Sequence, residues 1–338
     1  MILSGLFLFG SLLLILATAE SFTNGVESFG RHFSFSQAVV GSIFAAVGTA
    51  LPETVLPIVA ILLYGGKSAK EIGVGAILGA PFMLSTLAFF LVGLTAAVAA
   101  LRKRRRFELR VEVHSVRRDL SFFLIMYSLA IALPLVFGRV ALIPLSLALV
   151  AGYAAYAFIT FRSESATVEH AEGLYLWRMA RTLFPSGPET APLSVLLIQI
   201  FGSLAVMVKA AHIFVRNLEQ VSLRLGMDPL LFALLLAPVA TELPEKFNSV
   251  TWTWKGRDTL AIGNITGAMV FQSTFPVSVG LLFTDWRITG MALFSAVIAI
   301  TSSVFVLGMI AVQKRLSPWV MLLSGSLYLV YAVGLVIR

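Results

Sequence analysis

Long apolar runs separated by short polar connections dominate the 338-residue chain. Nine runs lack Lys, Arg, Asp and Glu: residues 1–19, 32–52, 72–101, 121–138, 140–161, 190–208, 259–284, 288–313 and 316–337. A tenth apolar segment, 229–253, is interrupted by Glu242, Glu245 and Lys246. Because about 20 apolar residues cross the hydrocarbon core as a helix, we predict ten transmembrane helices. They start near residues 2, 35, 69, 119, 140, 192, 228, 257, 287 and 316.

Composition supports an all-α polytopic membrane protein. The chain is 58% hydrophobic and 12% charged, whereas a soluble protein is about 25% charged. This excludes a soluble enzyme and a nucleic-acid-binding domain, so the expected surroundings are a lipid bilayer. Cysteine is absent and the four histidines show no metal-ligand spacing, which disfavours thiolate chemistry and a zinc site. We therefore expect no cofactor.

The charge pattern predicts an orientation. Residues 101–118 hold eight Lys/Arg against two Glu. Such a run can bind nucleic acid or anionic lipid, but its apolar flanks favour a cytoplasmic loop that follows the positive-inside rule. Connections 163–189, 255–257 and 314–315 then also lie inside, and both termini lie outside. We expect a prokaryotic plasma (inner) membrane protein that is a monomer.

The chain also contains an internal repeat. At an offset of 192 residues, F-G-S-L recurs at 9–12 and 201–204, and T-x-L-P-E at 49–53 and 241–245. At an offset of 188, G-x-x-x-G-A recurs at 75–80 and 263–268. We predict five-helix repeats at 1–161 and 192–338, joined by a cytoplasmic linker, 162–191. An odd number of crossings inverts the second copy, as in secondary transporters with a site at the bilayer midplane.

The T-x-L-P-E motifs carry the candidate chemistry. Each proline breaks an apolar helix, and Glu53 or Glu245 follows at once. An intramembrane carboxylate costs roughly 2.5–3.5 kcal/mol on insertion scales and usually marks a functional site. Inverted copies would bring Glu53 and Glu245 together with Thr49 and Thr241. Such an all-oxygen site suits hard cations such as Ca²⁺, and Na⁺ or H⁺ would compete for the same charges.

Further polar residues complete the candidate ligand set: Glu242, Asn264, Gln272 and Ser273. Lys246 either pairs with Glu242, four residues earlier on the helix, or reaches an interface. The G-x-x-x-G motifs predict close helix packing. Three further charged or titratable residues within the spans, Glu20, Lys209 and His212, allow two interpretations. They serve in gating or proton relay, or they snorkel to the interface or form an inter-helix pair.

Residues 48–53 (GTALPE) and 240–245 (ATELPE), each followed by a G-x-x-x-G helix, resemble the two α-repeats of the cation/Ca²⁺ exchanger superfamily, the sodium/calcium exchangers. The resemblance implies ten helices, alternating access, Ca²⁺ export, and Glu53 and Glu245 as central ligands. It also implies a mobile gate at residues 5–30 and 196–221. Some positions depart from the pattern of the family. Hydroxyl or amide ligands are replaced here by Ala50, Ala80, Leu84 and Gln272. Such a reduced set of neutral ligands is expected for coupling to protons or for a different cation.

The sequence thus favours a secondary active antiporter that exports Ca²⁺ against Na⁺ or H⁺, rather than an enzyme. Three alternatives stay open: exchange of Mg²⁺, Mn²⁺ or Na⁺ against H⁺, an intramembrane enzyme that uses paired carboxylates as acid and base, and a pore-forming channel. Duplication of the carboxylates by inversion favours alternating access, since an enzyme does not need that symmetry.

Overall fold

The computed structural model describes residues 2–33, 51–163, 173–183 and 191–337. In these ranges the regular elements are all helices. The described residues form no sheet, and a single isolated β-bridge links Leu109 to Leu316. The predicted helix start near residue 35 and the side chain of Thr49 lie outside the described residues. The expectation of an all-α membrane protein is confirmed.

In the first half of the chain the helices are α1 Ile2–His32, α2 Leu51–Ile58, α3 Lys67–Met83, α4 Phe89–Leu101, α5 Val113–Phe137 and α6 Leu142–Ser163. The π-helical turns Val59–Tyr64 and Leu84–Ala88 extend α2 and join α3 to α4, and the 3₁₀ turn Gly138–Ala141 joins α5 to α6. Both π-helical turns come shortly after a proline, Pro57 or Pro81, inside the preceding helix. A lost backbone donor is a common cause of such local irregularity.

The rest of the chain contains α7 Tyr175–Leu183, α8 Leu193–Arg224, α9 Pro229–Thr241, α10 Leu243–Trp254, α11 Asp258–Gln272, α12 Phe275–Phe283, α13 Gly290–Gln313 and α14 Pro318–Ile337. Seven helical stretches of the described chain are long and apolar enough to cross a membrane, and one of them, Val113–Thr160, contains both α5 and α6. The shorter apolar helices Leu51–Tyr64 and Pro229–Val239 belong to the proline-interrupted segments. The count of ten crossings stays a prediction.

Most predicted starts agree with the observed helices to within three residues. The start near 119 is wrong by about one and a half turns, because α5 begins at Val113 and carries Arg117 and Arg118 on its first turns. The basic connection after α4 is correspondingly shorter than 101–118. The linker also contains a helix, α7, that its polar composition did not predict.

Connections that the charge pattern places on one side of the membrane contact one another. Arg105 forms a bidentate ion pair with the buried Asp258 at the start of α11 and donates to the Thr253 carbonyl at 2.9 Å. Leu109 bridges to Leu316 before α14. At the other end of the bundle, Arg139 pairs with Asp285. Each of these contacts joins two connections that the charge pattern assigns to the same side.

Helix α1 packs along α8, and α7 is fixed to both. The Gln199 amide nitrogen donates to the Asn24 side-chain oxygen at 2.9 Å and to the Ser21 carbonyl at 2.8 Å. Asn24 and Gln199 then accept the first two backbone N–H groups of α7, from Tyr175 at 3.0 Å and Leu176 at 2.9 Å. Because these are groups that a helix leaves unsatisfied at its start, the two amides cap α7 and join three helices.

The first half makes a close backbone contact with the second where α3 crosses α9. A Cβ added to Gly75 or Gly79 would overlap the carbonyl oxygen of Leu230 or Leu234. Pro238 has no N–H to donate to the Leu234 carbonyl one turn earlier, and this carbonyl faces Gly79. The predicted close packing is thus confirmed for the first G-x-x-x-G motif. At Gly263 an added Cβ would meet no described atom within 4 Å.

Gly79→Ala is expected to lower the midpoint of thermal unfolding of the detergent-purified protein, because overpacking a tight contact costs about 1–3 kcal/mol. Gly202→Ala in α8 is the matched control, since its added Cβ meets no described atom within 4 Å and Gly→Ala in a helix stabilises by roughly 0.5–1 kcal/mol. A Gly79→Ala midpoint equal to or above the wild-type value would contradict the packing of α3 on α9.

Candidate cation site

The second T-x-L-P-E motif forms the junction between α9 and α10. Helix α9 ends at Thr241 and α10 begins at Leu243, with Glu242 at φ −93° and ψ 10° between them. Pro244 has no N–H to donate to the carbonyl of residue 240, so the helical ladder is interrupted here. The predicted proline break is therefore present, and it places Glu242 and Glu245 one turn apart at the start of α10.

Three carboxylates from both halves of the chain lie buried near one another. Glu53, in the first turn of α2, is 6% exposed, while Glu242 and Glu245 are 0% and 8% exposed. The charge of Glu53 acts on those of Glu245 and Glu242. The structure thus brings the three sequence-predicted glutamates, Glu53, Glu242 and Glu245, into one electrostatic cluster.

Most oxygens of this cluster have no partner within the described part of the chain: both carboxylate oxygens of Glu53, Oε1 of Glu242 and Oε2 of Glu245. Oε2 of Glu242 accepts no hydrogen bond of good geometry there, but it lies 3.3 Å from the ammonium of Lys246. Leaving a buried polar group without a partner costs about 1–3 kcal/mol, and more for a charged group. The arrangement is therefore unfavourable unless something else binds these oxygens.

Lys246 contributes a positive charge at the edge of the cluster. Its Nζ lies 3.3 Å from Oε2 of Glu242 and donates to the Pro238 carbonyl at 3.1 Å. The Lys246–Glu242 pair that the spacing allowed is therefore present. The Pro238 carbonyl also accepts the backbone N–H of Glu242 at 3.1 Å, so the ammonium shares an acceptor with the last turn of α9.

Helix α11 supports α10 from one side. The Asn264 amide nitrogen donates to the Glu245 carbonyl at 3.2 Å and to the Ser249 hydroxyl at 3.2 Å. This bond holds the backbone of Glu245 rather than its carboxylate. Asn264 is thus placed beside the predicted site residue, and its observed contacts position that residue.

The remaining sequence-predicted oxygens fall into two groups. Gln272 is buried, lies within interaction range of Glu242, and its Oε1 has no partner among the described residues. The hydroxyls of Thr241 and Ser273 donate to carbonyls of their own helices, Ala237 at 3.2 Å and Val270 at 2.9 Å. Their lone pairs stay available, since a hydroxyl oxygen also accepts.

Within the described ranges, no group of three or more His, Cys, Asp or Glu side chains converges tightly enough to hold a metal ion by itself. The candidate oxygens instead include carboxylate, hydroxyl and amide groups, with main-chain carbonyls at the helix break. Hard cations use all four kinds of ligand.

A further buried carboxylate, Asp119 on the far side of α11, escaped the sequence analysis. Asp119 in α5 accepts from Thr266 at 2.7 Å and from Tyr156 at 3.1 Å, and Arg118 pairs with it at 3.0 Å. Asp119 falls next to Arg117 and Arg118, where a charge normally marks a solvated helix end, so no local signal indicates its burial. Thr266 is consequently bonded to α5 and not to the glutamates.

Comparisons with known proteins agree with this architecture. The inner membrane protein YrbG of Escherichia coli strain K12 is 24% identical over 292 residues, which span 86% of this chain and 83% of that protein. Among solved structures, the H⁺/Ca²⁺ exchanger CAX matches with a TM-score of 0.69 and 17% identity over 99% of this chain and 86% of CAX. The sodium-calcium exchanger NCX_Mj matches with a TM-score of 0.54 and 19% identity over 98% of each chain.

The sequence model of the family described as sodium/calcium exchanger protein matches residues 3–162 and 195–337. These two segments include both T-x-L-P-E motifs and all the candidate site residues. The chain belongs to the sodium/calcium exchanger protein family.

Proposed function

We propose that this protein is a secondary active antiporter that exports Ca²⁺ in exchange for Na⁺ or H⁺, with Glu53 and Glu245 as the groups that bind the exchanged cations in turn. The observation that supports it most directly is the burial of these two carboxylates, one from each half of the chain, within electrostatic range of each other. Membership of an exchanger family supports cation antiport in general.

The ligand chemistry favours Ca²⁺ as the exported ion. Ca²⁺ takes six to eight oxygen ligands at flexible geometry, and carboxylates, the Thr241 and Ser273 hydroxyls and Gln272 Oε1 provide oxygens of the right kind. The two solved structures matched above are named for H⁺/Ca²⁺ and sodium-calcium exchange, which supports Na⁺ or H⁺ as the coupling ion.

Mutual repulsion gives the exchange a physical basis. Carboxylates that share a buried site cannot all stay ionised without a counter-charge. The site is therefore stable with Ca²⁺, with Na⁺ or with protons bound, and unstable when empty. Since only an occupied site is stable, the protein exchanges one cation for another. Inverted repeats would then present the same pair of glutamates to each side of the membrane in turn.

We also propose that the protein lies in the plasma (inner) membrane with the connection after α4 inside and both termini outside. The unequal distribution of Lys and Arg supports this orientation, as does the contact of that connection with those before α11 and α14.

Glu53→Gln and Glu245→Gln are each expected to reduce Ca²⁺ flux driven by a Na⁺ or H⁺ gradient in proteoliposomes by more than about tenfold. Each removes one anionic ligand, and a loss of about 1.4 kcal/mol in binding is already a factor of ten. Glu71→Gln is the control, because Glu71 pairs with the exposed Lys67 at 3.8 Å on α3. Full flux in both site variants, or no flux in the wild type under either gradient, would refute the proposal.

Na⁺ or H⁺ should act as a competitor of Ca²⁺ at equilibrium. Raising the concentration of the coupling ion is expected to increase the Ca²⁺ concentration needed for half-saturation while the number of Ca²⁺ sites stays constant. Titration of purified protein with radiolabelled Ca²⁺ measures both quantities. A reduced number of sites at unchanged affinity would point to a separate inhibitory site instead.

The orientation can be tested by cysteine labelling, because the natural chain has no cysteine. A membrane-impermeant maleimide added to intact cells should label Lys67→Cys and leave Lys103→Cys unlabelled until the cells are opened. Lys67 is 92% exposed at its side chain, and Lys103 is exposed in the basic connection. The opposite labelling pattern would reverse the proposed orientation.

A further inference from the structure

The ammonium group of Lys246 lies between two oxygens of the kinds that bind a monovalent cation, a main-chain carbonyl and a carboxylate. Its Nζ lies 3.1 Å from the Pro238 carbonyl and 3.3 Å from the Glu242 carboxylate, and its side chain is 6% exposed. Its charge also acts on Glu53 and Glu245. Main-chain carbonyls at the ends of broken helices are groups that hold Na⁺ in membrane transporters.

The end of α9 favours a cation at this position. Pro238 belongs to the last turn of the helix, where the aligned peptide dipoles leave partial negative charge on the carbonyl oxygens. Glu242, directly after α9, adds a full negative charge. The negative electrostatic potential at this point therefore favours a positive charge. Lys246, one helical turn after Glu242, supplies that charge.

Comparison of the two repeats shows that only the second one carries the two charges of this pair. At the offset of 192 residues, Glu242 corresponds to Ala50 and Lys246 corresponds to Thr54. The first repeat thus has neither the carboxylate nor the ammonium. In the second repeat they stand four residues apart, which is the spacing at which a helix brings an acid and a base into contact.

We propose that Lys246 is a built-in cation of the transport site: its ammonium fills the position between Glu242 and the Pro238 carbonyl, which would otherwise take up one Na⁺. The inference rests on the proposed function, because it assigns an occupant of the same site. With the three carboxylates ionised and the ammonium charged, the cluster carries two negative charges. One Ca²⁺ or two monovalent ions then neutralise it, while the tethered cation is never released.

Counting bound Na⁺ tests this assignment directly. Purified wild-type protein and variants are saturated with radiolabelled Na⁺, in the absence of Ca²⁺ and at mildly alkaline pH so that protons compete least. Lys246→Met is expected to bind one Na⁺ more per protein than the wild type, because it keeps Glu242 and the carbonyl but loses the ammonium. The double variant Glu242→Gln/Lys246→Met is expected to return to the wild-type number.

Two further variants keep the test decisive. Lys255→Met, which removes an exposed lysine at the C-terminal end of the same helix, should bind the wild-type number of Na⁺. Glu242→Gln alone keeps the ammonium without its carboxylate and should bind one Na⁺ fewer, which allows the test even if Lys246→Met does not fold. A purely structural ion pair would affect the yield or the unfolding temperature of these variants and leave the Na⁺ count unchanged.

The outcomes separate this inference from the proposed function. Equal Na⁺ counts in the wild type and in the folded Lys246 and Glu242 variants would overturn the assignment of Lys246. Absence of gradient-driven Ca²⁺ flux in the wild type would overturn the proposed function, while a Na⁺ count that differs by one between the variants would still support the tethered cation.

Discussion

The cost of holding charge away from water is the constraint on which the rest of this structure depends. Three carboxylates and one ammonium lie within a bundle whose surroundings are apolar. Only proximity to an opposite charge, a polar backbone group or a bound ion makes such burial tolerable. The broken helix at Glu242 and the amide of α11 both bear on this problem, since the first brings the Pro238 carbonyl to the ammonium and the second holds the backbone of Glu245.

Pro238 in α9 and Gly79 in α3 together position α9 beside the buried charges. Pro238 deprives the Leu234 carbonyl of its helical donor, and Gly79 lets α3 approach that carbonyl without a side chain in the way. The Pro238 carbonyl, one turn further on, accepts the ammonium of Lys246. The same short stretch of α9 therefore fixes its position against the first half of the protein and presents the electronegative end of a helix to the charged cluster.

Hydropathy and repeats were sufficient to predict the helical membrane fold, most helix starts and the meeting of Glu53 with Glu245. Helical spacing allowed the Lys246–Glu242 pair, and the structure selects it over contact of Lys246 with an interface. Helix α7 was not predicted, because a nine-residue amphipathic helix in a polar linker has no span-length apolar signal. Asp119 was missed for a different reason: its burial depends on Thr266 and Tyr156, which are far from it in sequence and reach it only through the tertiary fold.

The capping of α7 by Asn24 and Gln199 has a mechanical consequence. Gln199 bonds to α1 and α7 at once, so sliding α1 along α8 by one turn, about 5.4 Å, would break the whole set of buried amide bonds. The two helices therefore resist relative sliding and move as one unit. Helix α7 is bonded to both of them, so a displacement of the α1–α8 pair carries α7 with it.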